Sequence, residues 1–362
     1  MLSKADDFPI HQTPEPIAYS GTDRNFYDRY FFNGYNPDGS GFFAVAFGVY
    51  PHLNVADAHV SLIRNDIEYC VHASRVLNME RFDLEVGPIR IEVIEPLKRL
   101  KVTLAPTDGL ACEVVFEGRA FPIEEPRFIR RNGPRTFMDY TRLTQNGRYS
   151  GWIEIDGKRE AVAPGAIGTR DRSWGVRPVG APDSQPIAGS TSAPGFFWQW
   201  TPMNFADKSV FFHFTADSSG VPWNTRAVVA PDGATAAELI EIEHADMAVT
   251  LEQGTRHART ATLTVPLPNQ PDMNIEFTPI QTFLMRGIGY THPKWGHGRL
   301  HGELEVERED IALAGLNLAS MENLHIQALS NLTLRQDGRA DQAGLGVFEQ
   351  LCFGPYPPLG LT

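Results

Sequence analysis

Phe43-Ala44-Val45-Ala46-Phe47-Gly48-Val49-Tyr50 alternates bulky apolar residues with alanine and glycine. Successive side chains of an extended chain point to opposite sides, so this stretch is a strand with one large and one small face. The small face leaves room for a ligand. The large face is expected to pack outward against another element.

Similar runs follow at residues 58–63, 67–72, 89–94, 100–104, 112–117 and 149–155. Asn36-Pro37-Asp38-Gly39, Thr107-Asp108-Gly109 and Asp156-Gly157 are turn signals between them. Ahead of them, residues 1–20 are expected to form an extended arm, and residues 23–30 a short helical turn capped by Thr22 or Asp23. A second series of runs lies at 196–200, 209–216, 225–230, 247–251, 259–265, 276–283, 300–306 and 332–336, with one short helix expected at 235–243. Many short strands and few helical windows argue for antiparallel sandwiches or barrels. A parallel α/β fold is disfavoured because crossover helices of sufficient length are missing.

At 362 residues the chain exceeds one ordinary core, so two domains are expected. The composition break at 178–194, rich in proline, glycine and serine, places the division: a first β domain at 1–180, a linker or loop at 181–195 and a second β domain at 196–362. A net charge of -12 gives no basic footprint, so nucleic acid is excluded as a partner. Cys70, Cys112 and Cys352 are widely spaced and read as reduced thiols on buried strands. The start of the chain has no signal-peptide pattern and no window is apolar enough for a membrane span, so a soluble, cytoplasmic protein is expected.

Two stretches carry more polar chemistry than packing requires. Gly168-Thr169-Arg170-Asp171-Arg172-Ser173-Trp174-Gly175-Val176-Arg177 puts Asp171 and Ser173 on one strand face and Arg170, Arg172 and Trp174 on the other. It is either the wall of a pocket or an ion-pair cluster closing a loop. In the second stretch, residues 287–303, His292, His297 and His301 fall within ten residues of one another beside Tyr290 and Trp295. His297, His301 and Glu303 would share a strand face as metal ligands, joined by His292, but the glycines make a strand irregular and no metal is assigned. The histidines otherwise line a hydrogen-bonded seam or shuttle protons, since histidine titrates near neutral pH. Trp198 and Trp200 project to one side and floor an apolar cavity or simply pack. The chain has neither a dinucleotide fingerprint in context nor a nucleophile elbow.

Gly168-x-Arg170-Asp171-x-Ser173-Trp174-Gly175-x-Arg177, Gly289-Tyr290-x-His292-Pro293-x-Trp295-Gly296-His297-Gly298 and the run 344–350 together resemble the lipocalin-like carotenoid 1,2-hydratase (hydroxyneurosporene synthase) and tocopherol cyclase superfamily. The resemblance spans nearly the whole chain and is nearest to a bacterial branch without an assigned reaction. It implies an all-β fold of two tandem lipocalin-like antiparallel barrels, and a pocket for terpenoid or polyketide-like molecules that needs no cofactor. Relatives carry a histidine where this chain has Arg172, and arginine is no acid at neutral pH.

The resemblance implies a hydratase, dehydratase, isomerase or cyclase acting on an alkene of a hydrophobic molecule. Asp171 would be the acid, with His292 and Tyr290 as further catalytic groups and His292 or Asp28 activating water. Trp174, Trp198, Trp295, Arg170, Arg177 and His297 would bind substrate, aromatic faces stabilising developing positive charge. A carrier whose ligand's head group is held by Arg170, Arg177 or Arg24 is the competing reading, and an interdomain structural role for the motifs is a third. The expected assembly is a monomer or homodimer.

Overall fold

The computed structural model describes residues 2–10, 23–182 and 195–361. Most of the expected N-terminal arm and of the 181–195 linker lie outside the described residues. The chain divides into two compact units: Met1–Asn36, Ser40–Ser190 and Gly287–Ala314 form unit 1, and Pro37–Gly39, Thr191–Arg286 and Gly315–Thr362 form unit 2.

Twelve strands of unit 1 come from the first half of the chain: β1 (Phe26–Tyr35), β2 (Phe43–Tyr50), β3 (Val55–Arg64), β4 (Ile67–Val76), β5 (Glu85–Val86), β6 (Ile89–Glu95), β7 (Arg99–Thr107), β8 (Leu110–Gly118), β9 (Ile123–Asn132), β10 (Arg135–Ile155), β11 (Lys158–Ala161) and β12 (Ile167–Val176). Unit 2 supplies β13 (Phe196–Asn204), β14 (Lys208–Asp217), β15 (Pro222–Pro231), β16 (Ile240–Ile242), β17 (Asp246–Leu251), β18 (Ala258–Val265) and β19 (Met273–Leu284). Next in sequence is β20 (Leu304–Ala312), which returns to unit 1, and β21 (Ile326–Arg335) and β22 (Gln342–Phe353) complete unit 2.

The sheet of unit 1 runs β20-β4-β3-β2-β1-β12-β10-β8-β7-β6-β5, with β9 and β11 also paired to β10. Every pairing is antiparallel. It curls into a nearly closed barrel, since Val71 and Ala73 of β4 share one apolar core with Val86 of β5 and Ile89 and Ile91 of β6. Unit 2 is a half-barrel in the order β16-β15-β14-β13-β22-β21-β19-β18-β17. The tandem all-β architecture expected from the sequence is therefore present. Among the described residues no helix is long and apolar enough to cross a membrane.

Tight turns set the registers. Asn65-Asp66, Asp108-Gly109 and Asp156-Gly157 all have positive φ at both residues, the conformation of two-residue hairpins that matches strand twist. Cys70, Cys112 and Cys352 are buried free thiols on β4, β8 and β22.

Several expectations are corrected. The bulky face of β2 does not pack outward: Phe43, Val45, Phe47 and Val49 point into the barrel and pack with Tyr30, Phe32 and Phe116. Residues 26–30, expected within a helical turn, are strand, because Phe26–Tyr35 is held between β2 and β12 on both edges. At 235–243 only Ala236–Glu238 turns, and Ile240–Ile242 pairs with β15. The 287–303 motif belongs to unit 1 and not to the second unit, because β20 adds to the edge of β4 with Glu309 opposite Cys70.

The Gly168–Arg177 stretch is mostly β12, and its two faces diverge. Arg170 and Arg172 point into the barrel, where the N-terminal turn Lys4–Asp7 inserts Asp7. Arg170 grips the Asp7 carboxylate with both terminal nitrogens and donates Nε–H to Gln145 Oε1 at 2.8 Å. Leu97 N–H also donates to Asp7. Arg172 pairs with Asp28 at 2.6 Å, lies 3.8 Å from the Tyr30 ring centre and donates to the Phe8 carbonyl at 2.9 Å. The two arginines therefore anchor the N-terminal segment.

Removing one partner of a fully buried ion pair leaves a bare charge in the interior. Asp7→Ala is expected to lower unfolding free energy by about 3–5 kcal/mol in urea titrations, whereas Asp7→Leu combined with Arg170→Met should recover most of that loss.

Candidate functional site

Residues opposite one another in an antiparallel ladder face the same side. His72, His59, Ala46, Phe31 and Asp171 thus form one row across β4, β3, β2, β1 and β12. Ser74, Asp57, Gly48, Arg29 and Ser173 form the next. This is the face away from the apolar core, yet its polar members are buried too. Ala44, Ala46 and Gly48 give it a low floor.

Residues 287–303 lie over that face as an irregular loop, so the strand expected there is absent. Glycine makes the close approach possible. A Cβ on Gly287 would fall 1.9 Å from Glu68 Oε1, and one on Gly289, whose φ is +91°, would fall 2.9 Å from His59 Nε2 and 2.7 Å from His297 Cδ2.

Donor and acceptor roles around the histidines follow from their partners. Nδ1 of His292 accepts the N–H groups of Lys294 (3.0 Å) and Trp295 (2.8 Å), so its proton is on Nε2, which donates to Glu309 Oε2 at 3.0 Å. His72 Nε2 donates to the same oxygen at 3.3 Å. Its Nδ1 is then an acceptor, and His59 Nδ1–H donates to it at 2.9 Å. That leaves a lone pair on His59 Nε2, buried, without a hydrogen-bond partner among the described residues and 3.9 Å from Asp57 Oδ1. The result is a directed chain from His59 through His72 to a carboxylate.

Burial dominates the protonation of this group. It pushes His72 down to about 4 and lowers His59, while Asp57 and Glu309 pull only partly the other way. Burial and then Arg29 hold His297 well below its ordinary value. Hydrogen bonds from His292 and then His72 keep the Glu309 carboxyl far below the usual range, so it is a carboxylate.

Among the residues singled out in the sequence, His292, Trp295, His297, Tyr290 and Arg177 come together here. Trp295 stacks on His72 (5.5 Å, 13°) and donates its indole N–H to Glu307 at 2.8 Å, sealing the relay. His297 accepts from Arg29 at 3.0 Å through Nδ1 and donates to the Ile288 carbonyl at 2.8 Å. The half-exposed Tyr290 packs edge-on to His297 at 4.5 Å.

The remaining candidates lie elsewhere. Arg170 is spent on Asp7, and Trp174 sits opposite Asp28 on the barrel-facing side of β12. Trp198 is in unit 2, donating to Glu349 at 3.3 Å. Asp171 shares the site's face but is three strands from His59, roughly 14 Å along the row. Arg142 stands 3.8 Å from it, and a guanidinium favours the carboxylate form, the opposite of what an alkene-protonating acid needs.

His72, His292 and Glu309 offer ligand atoms within 4.8 Å of one another. Their hydrogen bonds do not suit an ion: His292 Nδ1 already accepts two N–H groups, so a metal on Nε2 would require an imidazolate. His301, part of the metal set considered from the sequence, instead packs on Trp295 at 4.3 Å.

Sequence reasoning missed Arg29, Asp57, His59, His72 and Glu309. A signal was available in the polar residues at alternate positions of two adjacent apolar strands, Asp57, His59 and Ser61 against Glu68, Cys70, His72 and Ser74.

The nearly closed barrel and half-barrel form a lipocalin-like pair that other structures share. CghA, solved with Sch210972, matches with 9% identity over 91% of this chain and 89% of that one, at a TM-score of 0.54. An AttH protein from Nitrosomonas europaea matches with 12% identity over 94% and 97%, at 0.50. Kievitone hydratase from Nectria haematococca matches with 9% identity over 91% and 89%, at 0.43. The chain belongs to a family of unknown function (DUF8625), whose model matches residues 2–362. No curated protein matches the sequence.

His72 binds its proton near 4 when folded and near its ordinary 6.5 when unfolded, so its contribution to stability is complete above the unfolded value and is lost as pH falls toward the folded one. His59 and His297 act in the same direction. Between about pH 7 and pH 5, His72 alone should cost about 2 kcal/mol of unfolding free energy, and urea titrations of His72→Gln should show a flatter pH dependence.

Proposed function

We propose that this chain is a cofactor-independent acid–base enzyme that adds or removes water, or moves a double bond, in a hydrophobic small molecule, with His59 as the proton-transferring group. The single observation behind this reading is the His59 Nε2 lone pair at the end of a hydrogen-bonded path to Glu309.

In the dehydration direction, His59 Nε2 takes a proton from substrate carbon. The electron pair of the broken C–H bond becomes the second bond of the alkene, and the C–O bond breaks. The departing oxygen takes a proton from the Tyr290 hydroxyl and leaves as water; Tyr290 is reprotonated from solvent. The positive charge gained by His59 is shared with His72 through their hydrogen bond and stabilised by the Glu309 carboxylate, and His59 Nε2 then gives its proton to solvent, which balances the one that Tyr290 takes up. In an isomerisation the same proton returns to a different carbon, and nothing else is consumed. His292 holds Glu309 in place, while Trp295 keeps water from short-circuiting the path.

The reading draws support from the motifs shared with the hydratase and cyclase superfamily, and from a common fold with CghA, whose structure contains Sch210972. Only the class of ligand, a small molecule, is carried over to this chain.

Native mass spectrometry of protein isolated from its source cells, with extraction of bound compounds, tests the reading. Wild type and His59→Gln are expected to hold compounds that differ by water or by an isomeric change, with turnover of the identified compound lowered about 10²–10⁴-fold in the variant. The same compound in both, unchanged on incubation with wild type, would make the protein a carrier.

A further inference from the structure

Three buried arginines of unit 1 have carboxylate partners, whereas Arg29 and the half-buried Arg177 have none among the described residues. Arg170 has Asp7, Arg172 has Asp28, and Arg142 has Glu125 (3.5 Å) and Asp171 (3.8 Å). Arg29, 1% exposed, has none: Nη1 donates to the neutral His297, and Nε and Nη2 are buried without an acceptor among the described residues. Arg177, half-buried, has no side-chain hydrogen bond or ion pair among the described residues.

Both guanidinium groups flank one aromatic ring. Arg29 Cζ is 4.5 Å and Arg177 Cζ 5.6 Å from the centre of Tyr290, and Arg177 is 4.5 Å from that of Tyr27. Contact with a ring offsets only part of what it costs to take a charge out of water. Asp57, two strands from Arg29, is occupied by Tyr50 O–H at 3.0 Å and Gly298 N–H at 2.6 Å. In a chain of net charge -12, two guanidinium groups without carboxylate partners among the described residues thus stand beside one tyrosine ring.

We propose that Arg29 and Arg177 bind the oxyanion of the ligand, so that the substrate class is apolar molecules bearing a carboxylate or an enolisable carbonyl. The free edge of Arg29 presents Nε–H and Nη2–H side by side, the fork that matches two carboxylate oxygens. Arg29 is on the strand next to β2, and the row that holds it adjoins the row of His59, so the bound oxyanion sits one short span from the proton acceptor. An enolate formed by loss of a proton to His59 would be stabilised by the same pair. The inference rests on reading this face as a ligand site, but its test measures binding and not turnover.

Isothermal titration with 2-naphthoate and with 2-naphthamide separates charge from shape. Wild type is expected to prefer the naphthoate by at least about tenfold, Arg29→Met and Arg177→Met to lose that preference, and His59→Gln to keep it. Without ligand, Arg29→Met should raise the thermal unfolding midpoint, because it removes an unpaired buried charge. Equal affinity for the two probes, or no saturable naphthoate binding, overturns the proposal. So does a lowered midpoint in Arg29→Met, the result of removing a structural arginine. A preserved naphthoate preference in His59→Gln alongside unaltered bound compounds would leave the anion site standing and remove the catalytic reading.

Discussion

A polar side chain taken out of water must find a partner, and unit 1 buries polar groups on both sides of one sheet. Everything distinctive about the molecule follows from how that demand is met. On the barrel side, Arg170 and Arg172 are neutralised by Asp7 and Asp28, and the N-terminal turn is held as a consequence. On the other side, His59, His72 and His292 are linked into one chain ending at Glu309. Among the buried polar atoms left without a hydrogen-bond partner are His59 Nε2 and the outer edge of Arg29, which lie in adjacent rows of the same face.

Backbone geometry makes that face possible. Period-two alternation sends Phe43, Val45, Phe47 and Val49 into the core and leaves Ala44, Ala46 and Gly48 under the polar groups. The loop at 287–303 can then descend on the sheet because Gly287 and Gly289 carry no side chain. Trp295 and His297 are delivered by that descent, the first to cover His72 and the second to occupy one end of Arg29. A low dielectric results, which disfavours the charged forms of His59 and His72.

Much of this was legible before any coordinates. The all-β class, the two-fold division into β units and the hairpin turns at Asp108-Gly109 and Asp156-Gly157 follow from periodicity and turn chemistry, which act over a few residues. The importance of 287–303 was visible in its density of histidine, tryptophan and glycine. The roles of Arg170 and Asp171 were not, since a strand pattern says which side chains share a face but not which face meets the core. Asp7, which decides the fate of Arg170, is 163 residues away in sequence.

Sequence alone determined the strands, their alternation and the residue types on each face, because these depend on local backbone sterics and on solvent. Tertiary structure decided which chemistry those residues can perform. The return of β20 to the edge of β4 brings Glu309 to His72, 237 residues distant, and the pairing of β3 with β4 brings His59 to His72. Proton direction, tautomer and unpaired charge are properties of such juxtapositions, and no local pattern encodes them.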